Sequence, residues 1–216
     1  MTQPFTLVCF AMKDEARPFL HRAKPEMRVQ TLITGVGHKN AERSIRAAVA
    51  KARPESVLTC GFAGGLAPSL ATGTIVFAAD DDSPLKSRLL AAGARPTTFH
   101  CSREIATNAE EKRSLRQSTG ADAVEMESVI IHSVCREQKV PCATLRIILD
   151  TAEQDLPLDF NRLTTADQQL HYGKLAMAIL RSPQTIPALL QLQKQTQSAA
   201  NILADFLLRI TAQTGQ

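Results

Sequence analysis

Two glutamates stand one residue apart in Val124-Glu125-Met126-Glu127-Ser128, beside an apolar run and with no Lys or Arg three or four positions away. If a helix runs onward from this stretch, Ile130, Ile131 and Val134 fall on the same side as Glu127. Glu127 then heads the apolar stripe rather than the solvent face. A carboxylate taken out of water is costly unless something donates to it. Its partner must therefore be a distant side chain, a set of backbone amides or a ligand with hydroxyls. Three further features share the chemistry of this pair. Glu15 follows the apolar run PFTLVCFAM, the stretch GFAGG covers Gly61–Gly65, and Asp150 closes CATLRIILD. Taken singly, Glu15 or Glu125 reads as a charge complementing a helix N-terminus, and Asp150 as a cap or turn residue.

The elements that must hold these residues alternate. PFTLVCFAM, TLITGVG, SVLTC, TGTIVFAAD and VPCATLRIILD read as short buried strands. Between them, KDEARPFLHRA, HKNAERSIRAAVAKA and SPLKSRLLAAGA read as helices, with TTFHCSREI as one more short strand. SVLTC is expected to end in a glycine turn at GFAGG, and VEMES to open a helix. This pattern predicts a three-layer α/β/α sandwich around a largely parallel mixed sheet. In such sheets ligands bind beyond the carboxyl ends of the strands, and Glu15, Gly61–Gly65, VEMES and Asp150 all fall there. After about Asp167 the chain reads as two helices split at Ser182-Pro183. With no repeat and no Gly/Ser/Pro-rich linker, one domain over 1–216 is expected, with 183–213 as a C-terminal helical extension.

Composition removes several function classes. The chain has 216 residues, no Trp and one Tyr, which gives little for a platform that stacks single-stranded nucleic acid. A net charge of +4 is scattered without a basic run, so no nucleic-acid partner is expected. The five cysteines, Cys9, Cys60, Cys101, Cys135 and Cys142, form no CxxC and have no His at metal spacing. They read as reduced thiols, with no metal site and no cofactor. No stretch approaches the length of a membrane span, and no basic segment leads an apolar one at the N-terminus. A cytoplasmic protein is expected.

Four ordered segments resemble the nucleoside phosphorylase and nucleosidase superfamily, with 5′-methylthioadenosine/S-adenosylhomocysteine nucleosidases as the nearest general pattern. They are AMKDEA, TGVGHKNA, GFAGGLAPSLATGTIV, and AVEMES with LRIILD, spread over residues 11–150. The tail, LAMAILRSPQTIPALLQLQKQTQSAANIL, and MES in place of MEG or MEA are similar to a narrower branch, the hopanoid-associated phosphorylases. That branch is thought to remove adenine from an adenosylated hopanoid.

The resemblance implies a nucleoside phosphorylase-like fold and cleavage of the N-glycosidic bond of a 5′-substituted adenine nucleoside. Asp150 corresponds to the acid that protonates the purine, and Glu15 to the glutamate that positions the attacking water. Glu127 corresponds to the ribose clamp, Met126 packs on the sugar, and Glu125 belongs to the same wall. Phe62, Ala63 and Gly64 line the base-side turn, and Ile105 is a purine contact. The chain departs from the pattern at Phe62 and Leu149, where the family carries serines. Phosphate is a co-substrate only if the reaction is phosphorolytic. Thr59 and the acid Glu15 stand where phosphorylases carry arginines, which favours water, while Arg17 and His38 keep phosphate in play. Two other readings are an ordinary methylthioadenosine/adenosylhomocysteine nucleosidase and a catalytically weak nucleoside-binding protein. The expected assembly is a homodimer. The apolar stripe of the tail, from Ile186 to Leu207, reads as core or dimer contact, with peripheral membrane docking as the other option.

Overall fold

A computed structural model describes residues 3–80, 83–163 and 172–212. The first strand, β1 (Thr6–Phe10), is buried throughout and alternates its side chains between two layers. Val8 and Phe10 face one apolar cluster, and Leu7 and Cys9 face another. The first cluster takes Ala16 and Phe19 from α1 (Lys13–Leu20), Leu85 and Leu89 from α3 (Pro84–Ala91), and residues from the long helix α8 (Ile186–Ala212). The second takes Ala41, Ile45 and Val49 from α2 (His38–Lys51) and Ile131, Val134 and Cys135 from α5 (Ser128–Glu137). Helices therefore cover both faces, which is the expected three-layer sandwich.

Among the described residues the sheet has eight strands. Its main path is β2 (Val29–Ile33), β1, β3 (Ser56–Gly65), β8 (Cys142–Asp150), β4 (Ile75–Ala79) and β5 (Arg95–Pro96). The pairs β2–β1, β1–β3 and β3–β8 are parallel, whereas β4 runs antiparallel to β8. Off this path, β6 (Phe99–Cys101) pairs in parallel with β7 (Ala123–Glu125), and β7 pairs antiparallel with the end of β3.

Three local expectations are corrected. GFAGG is no turn: β3 runs through it to Gly65, paired with both β8 and β7. Glycine here serves close approach by neighbours within a strand rather than a reversal of the chain. VEMES does not wholly open a helix either, because Ala123–Glu125 is strand and Glu127 is the N-cap of α5. Finally, the polar stretch before it folds as α4 (Ala109–Thr119), a helix absent from the sequence reading.

Beyond β8 lie α6 (Phe160–Leu163), α7 (Tyr172–Arg181) and α8. A short 3₁₀ turn at Pro183–Thr185 marks the predicted break at Ser182-Pro183. The start of the tail, near Asp167, lies outside the described residues. The second half of α8 is core: Ala199, Ala200, Leu203, Ala204, Phe206, Leu207 and Ile210 are buried, most of them against α1 and β8. Its first half leaves Ile186 and Leu190 exposed.

Candidate active site

The carboxyl ends of β1, β3 and β8 bring Glu15, the glycine stretch and Asp150 to one rim, joined there by Glu127 from the β7–α5 junction. All three acids are buried, with Glu15 4%, Glu127 8% and Asp150 6% exposed.

Glu15 sits in the first turn of α1 and accepts the Met12 N–H at 3.0 Å, which is the capping bond its position suggested. Its other oxygen accepts the Phe62 N–H at 3.4 Å. A Cβ on Gly61 would lie 3.0 Å from Glu15 Oε1, so glycine lets β3 pass against this carboxyl. Burial raises the Glu15 pKa, against the pull of the Met12 amide and of Arg146.

Glu127 caps α5 with its backbone and turns its side chain to the start of α2, where the Gly37 N–H donates to Oε1 at 3.0 Å. One partner foreseen for it, a backbone amide, is therefore present. Burial lifts the Glu127 carboxyl to about 7, with Arg146 opposing and Glu125 adding to the rise.

Glu125 departs from its expected place in a sugar wall, because its oxygens are committed to the protein. Oε2 accepts the amides of Glu127 and Ser128 at 3.0 and 2.9 Å and Arg146 Nη2 at 2.7 Å; Oε1 accepts the Ser128 hydroxyl at 2.6 Å. Burial works against the Glu125 carboxylate, but Arg146 and these donors outweigh it and hold the group below its usual range. Arg146 also donates to the Thr59 carbonyl at 2.8 Å and to Thr59 Oγ1 at 3.2 Å. The cation missing from the neighbourhood of VEMES in sequence thus arrives from the middle of β8.

Asp150 lies at the other end of the glycine stretch. A Cβ on Gly64 would sit 3.5 Å from Asp150 Oδ2 and 3.2 Å from Val124, so this glycine keeps room beside the acid. Lys112 Nζ from α4 approaches Asp150 Oδ2 at 2.5 Å, and its side chain is fully buried. Burial raises the Asp150 pKa and Lys112 opposes the rise. Leu149, like Phe62, packs against the apolar cluster under α1 and α8.

Ala63 is buried in a separate apolar cluster with Ala67, Leu70, Val76, Ala123 and Ile148, so its side chain packs in the core rather than lining a turn. Met126 is half-buried beside the two glutamates. The backbone N–H and C=O of Ile105 are both bound by the Asn161 carboxamide, each at 2.9 Å. Of the two basic residues expected near the rim, Arg17 faces outward to Asp14 at 2.5 Å, and the His38 ring meets Cys101 Sγ at 3.3 Å.

Sequence reasoning passed over Lys112 and Arg146. Lys112 was hidden because α4 carries few apolar residues and gives little periodicity. Its end signals were present, however. Asn108 caps the first turn by accepting the Glu111 N–H, acids fill that turn, and Gly120 closes the helix in the left-handed conformation.

The architecture and the clustered carboxylates define a mixed α/β sandwich with its site at the strand ends. A family model described as "Phosphorylase superfamily" matches residues 95–181. Among relatives by sequence, the 5′-methylthioadenosine/S-adenosylhomocysteine nucleosidase of Shewanella loihica is 25% identical, over 59% of this chain and 70% of its own. Among solved structures, the Campylobacter jejuni nucleosidase of that name superposes with a TM-score of 0.71 at 19% identity, covering 98% of this chain and all of its own. A futalosine hydrolase mutant of Helicobacter pylori gives 0.72 at 15% identity, with 98% and 100% covered. The structural likenesses establish the fold. The matched region and the sequence relatives make the chain similar to the nucleoside phosphorylase/nucleosidase superfamily.

Proposed function

We propose that this protein cleaves the N-glycosidic bond of an adenine nucleoside carrying a 5′ substituent and releases adenine. One observation carries the reading. Gly61 abuts Glu15 and Gly64 abuts Asp150, so two buried carboxyls flank a strand segment three residues apart, about 10 Å in extended backbone. Both carboxyls thus border the carboxyl end of β3, the end of the sheet where a ligand is expected to bind, which suits an acid at the base and a water-ordering carboxylate near the sugar of a purine riboside. Glu127 lies on the Glu15 side, since it accepts the Gly37 N–H just beyond β2, the strand paired with β1, which leads to Glu15.

In this reading Asp150 donates a proton to the purine as the C–N bond breaks, leaving the bonding pair on the base. Glu127 accepts hydrogen bonds from the ribose hydroxyls, and Met126 packs on the sugar. Glu15 orients the attacking water, with the Met12 and Phe62 amides fixing its carboxyl. Positive charge developing on the sugar is stabilised by this acidic side of the site. Glu125 and Arg146 support it from below as a buried ion pair.

Water is the proposed nucleophile. Arg146 is bound to Glu125 and Thr59, and Arg17 to Asp14 at the surface, so neither is arranged as a phosphate cradle. A lipid 5′ substituent, as the tail resemblance implies, belongs to the same proposal. Met177, Leu180, Ile186 and Leu190 expose apolar side chains on α7 and α8, and such a surface suits a substrate held at a membrane. The test is adenine release from methylthioadenosine and from a long-chain 5′-substituted adenosine, with and without phosphate. Release that does not require phosphate, and is faster with the long chain, is expected. No release from either, while nucleoside still binds, would leave only a nucleoside-binding protein.

A further inference from the structure

Lys112 is a fully buried lysine in a site whose chemistry has so far assigned it no task. Its ammonium has three N–H groups, and three acceptors face it. They are Asp150 Oδ2 at 2.5 Å, the Thr151 carbonyl at 2.9 Å and the Gln154 carbonyl at 2.5 Å. Each proton therefore has one partner. A lysine used only to clip the loop after β8 onto α4 needs the two carbonyls. The third bond goes to the one carboxylate proposed to act on the base.

The surrounding charges are committed elsewhere. On α4, Glu111 accepts from Thr107 and Arg116 pairs with Asp122. In the loop after β8, Asp155 accepts the Ala109 N–H, and on β8 Arg146 pairs with Glu125. Among the described residues, Lys112 is the one cation in ion-pair contact with Asp150.

We propose that Lys112 and Asp150 form one proton-donating pair, in which Lys112 is the positioning residue that aims the carboxyl and resupplies its proton. This rests on the adenine-releasing function proposed above. In the resting site the proton resides on Lys112 and the carboxylate is ionised. As the C–N bond breaks, its electron pair stays on the base. The ammonium passes one proton to the Asp150 carboxylate, and the carboxylic acid so formed passes its proton to the base. Lys112 is left as a neutral amine whose two remaining N–H groups still serve the Thr151 and Gln154 carbonyls. Solvent returns the third proton once the base has left.

The pair has a mark that a merely structural lysine lacks: two pH readouts that move in opposite directions. The Asp150 carboxyl is followed by carbon-13 NMR of aspartate-labelled full-length protein, assigned with Asp150→Asn. Adenine release from methylthioadenosine gives the pH profile of kcat/KM. In Lys112→Met the Asp150 midpoint should rise by about one to three pH units, because an opposite charge is lost. The alkaline limb of kcat/KM should fall toward that carboxyl midpoint, because only the aspartic acid proton remains. Lys112→Gln, which keeps donors for the carbonyls, should behave alike if the methionine variant folds poorly. Lys112→Arg should keep the Asp150 midpoint within about half a unit of wild type, because the opposite charge is retained, but should release adenine more slowly than wild type, because a guanidinium does not give up its proton. A limb that stays in place in Lys112→Met and Lys112→Gln would reduce Lys112 to a clip. A limb that rises with the Asp150 midpoint would show Asp150 donating alone. Either result overturns the pair while adenine release stands. A wild type that releases no adenine removes the function and the pair together.

Discussion

At the scale of single residues, the two glutamates of VEMES have separated into different jobs. Glu125 receives four donors from the protein and is held ionised, whereas Glu127 accepts one amide and is held near neutrality. Only Glu127 keeps the chemistry of a ligand clamp. Because its pKa in the folded protein lies above that of an unfolded glutamate, the folded state gains from it below about pH 4.5 and loses that gain as pH rises through about 7. Glu127→Gln should therefore be stabilising relative to wild type at pH 8 and nearly neutral at pH 4.5. A difference of up to about 3 kcal/mol is expected, from urea melts at the two values. Where the ionised form accepts from ribose hydroxyls, substrate affinity should increase with pH through the same range, and Glu127→Gln should abolish that dependence in a KM profile. Helical spacing made Glu127 legible in the sequence. The partners of Glu125 were not, since Arg146 lies 21 residues further on and meets it only through sheet packing.

At the scale of elements, β3 and α4 show what pattern reading cannot reach. Glycines in GFAGG read as a turn because turns are where glycine is commonest. In the sheet they mark places where Glu15 and Asp150 press against a strand. Gly61→Ala should push Glu15 from its amides and lower kcat by about ten-fold or more, and should lower the thermal midpoint as well, because Gly61 holds a φ of 156° that an L side chain rarely adopts. The alternating strands and helices were readable because each buries an apolar face, and α4 was missed because its polar surface shows no such stripe. The Arg146–Glu125 pair ties β8 to the β7–α5 junction and, through Thr59, to β3. Arg146→Met leaves a buried carboxylate unpaired and should cost about 3–5 kcal/mol in urea melts. Adding Glu125→Leu should restore part of that loss.

At the scale of the whole molecule, the last two helices, α7 and α8, divide into a part that completes the fold and a part that does not. Leu203, Phe206 and Leu207 are buried in the cluster under α1 and β8, while Leu180 and Leu190 are 75% and 54% exposed. Phe206→Ala should cost about 3–5 kcal/mol by loss of burial and the cavity left behind. Leu180→Ser with Leu190→Ser should leave the thermal midpoint within about a degree, the usual size of surface effects. The same double substitution should reduce co-sedimentation with phospholipid vesicles if the exposed side chains meet a membrane.

Asp150 and the bond it helps to break are the centre of the proposed reaction. The most direct measurement is the single-turnover rate of adenine release from a 5′-substituted adenosine, compared between the wild type and Asp150→Asn. The wild type should release adenine, and Asp150→Asn should do so at least about a hundred-fold more slowly while still binding the nucleoside. Equal rates in the two proteins would contradict the assignment of the acid, and no adenine from the wild type would contradict the proposed reaction itself.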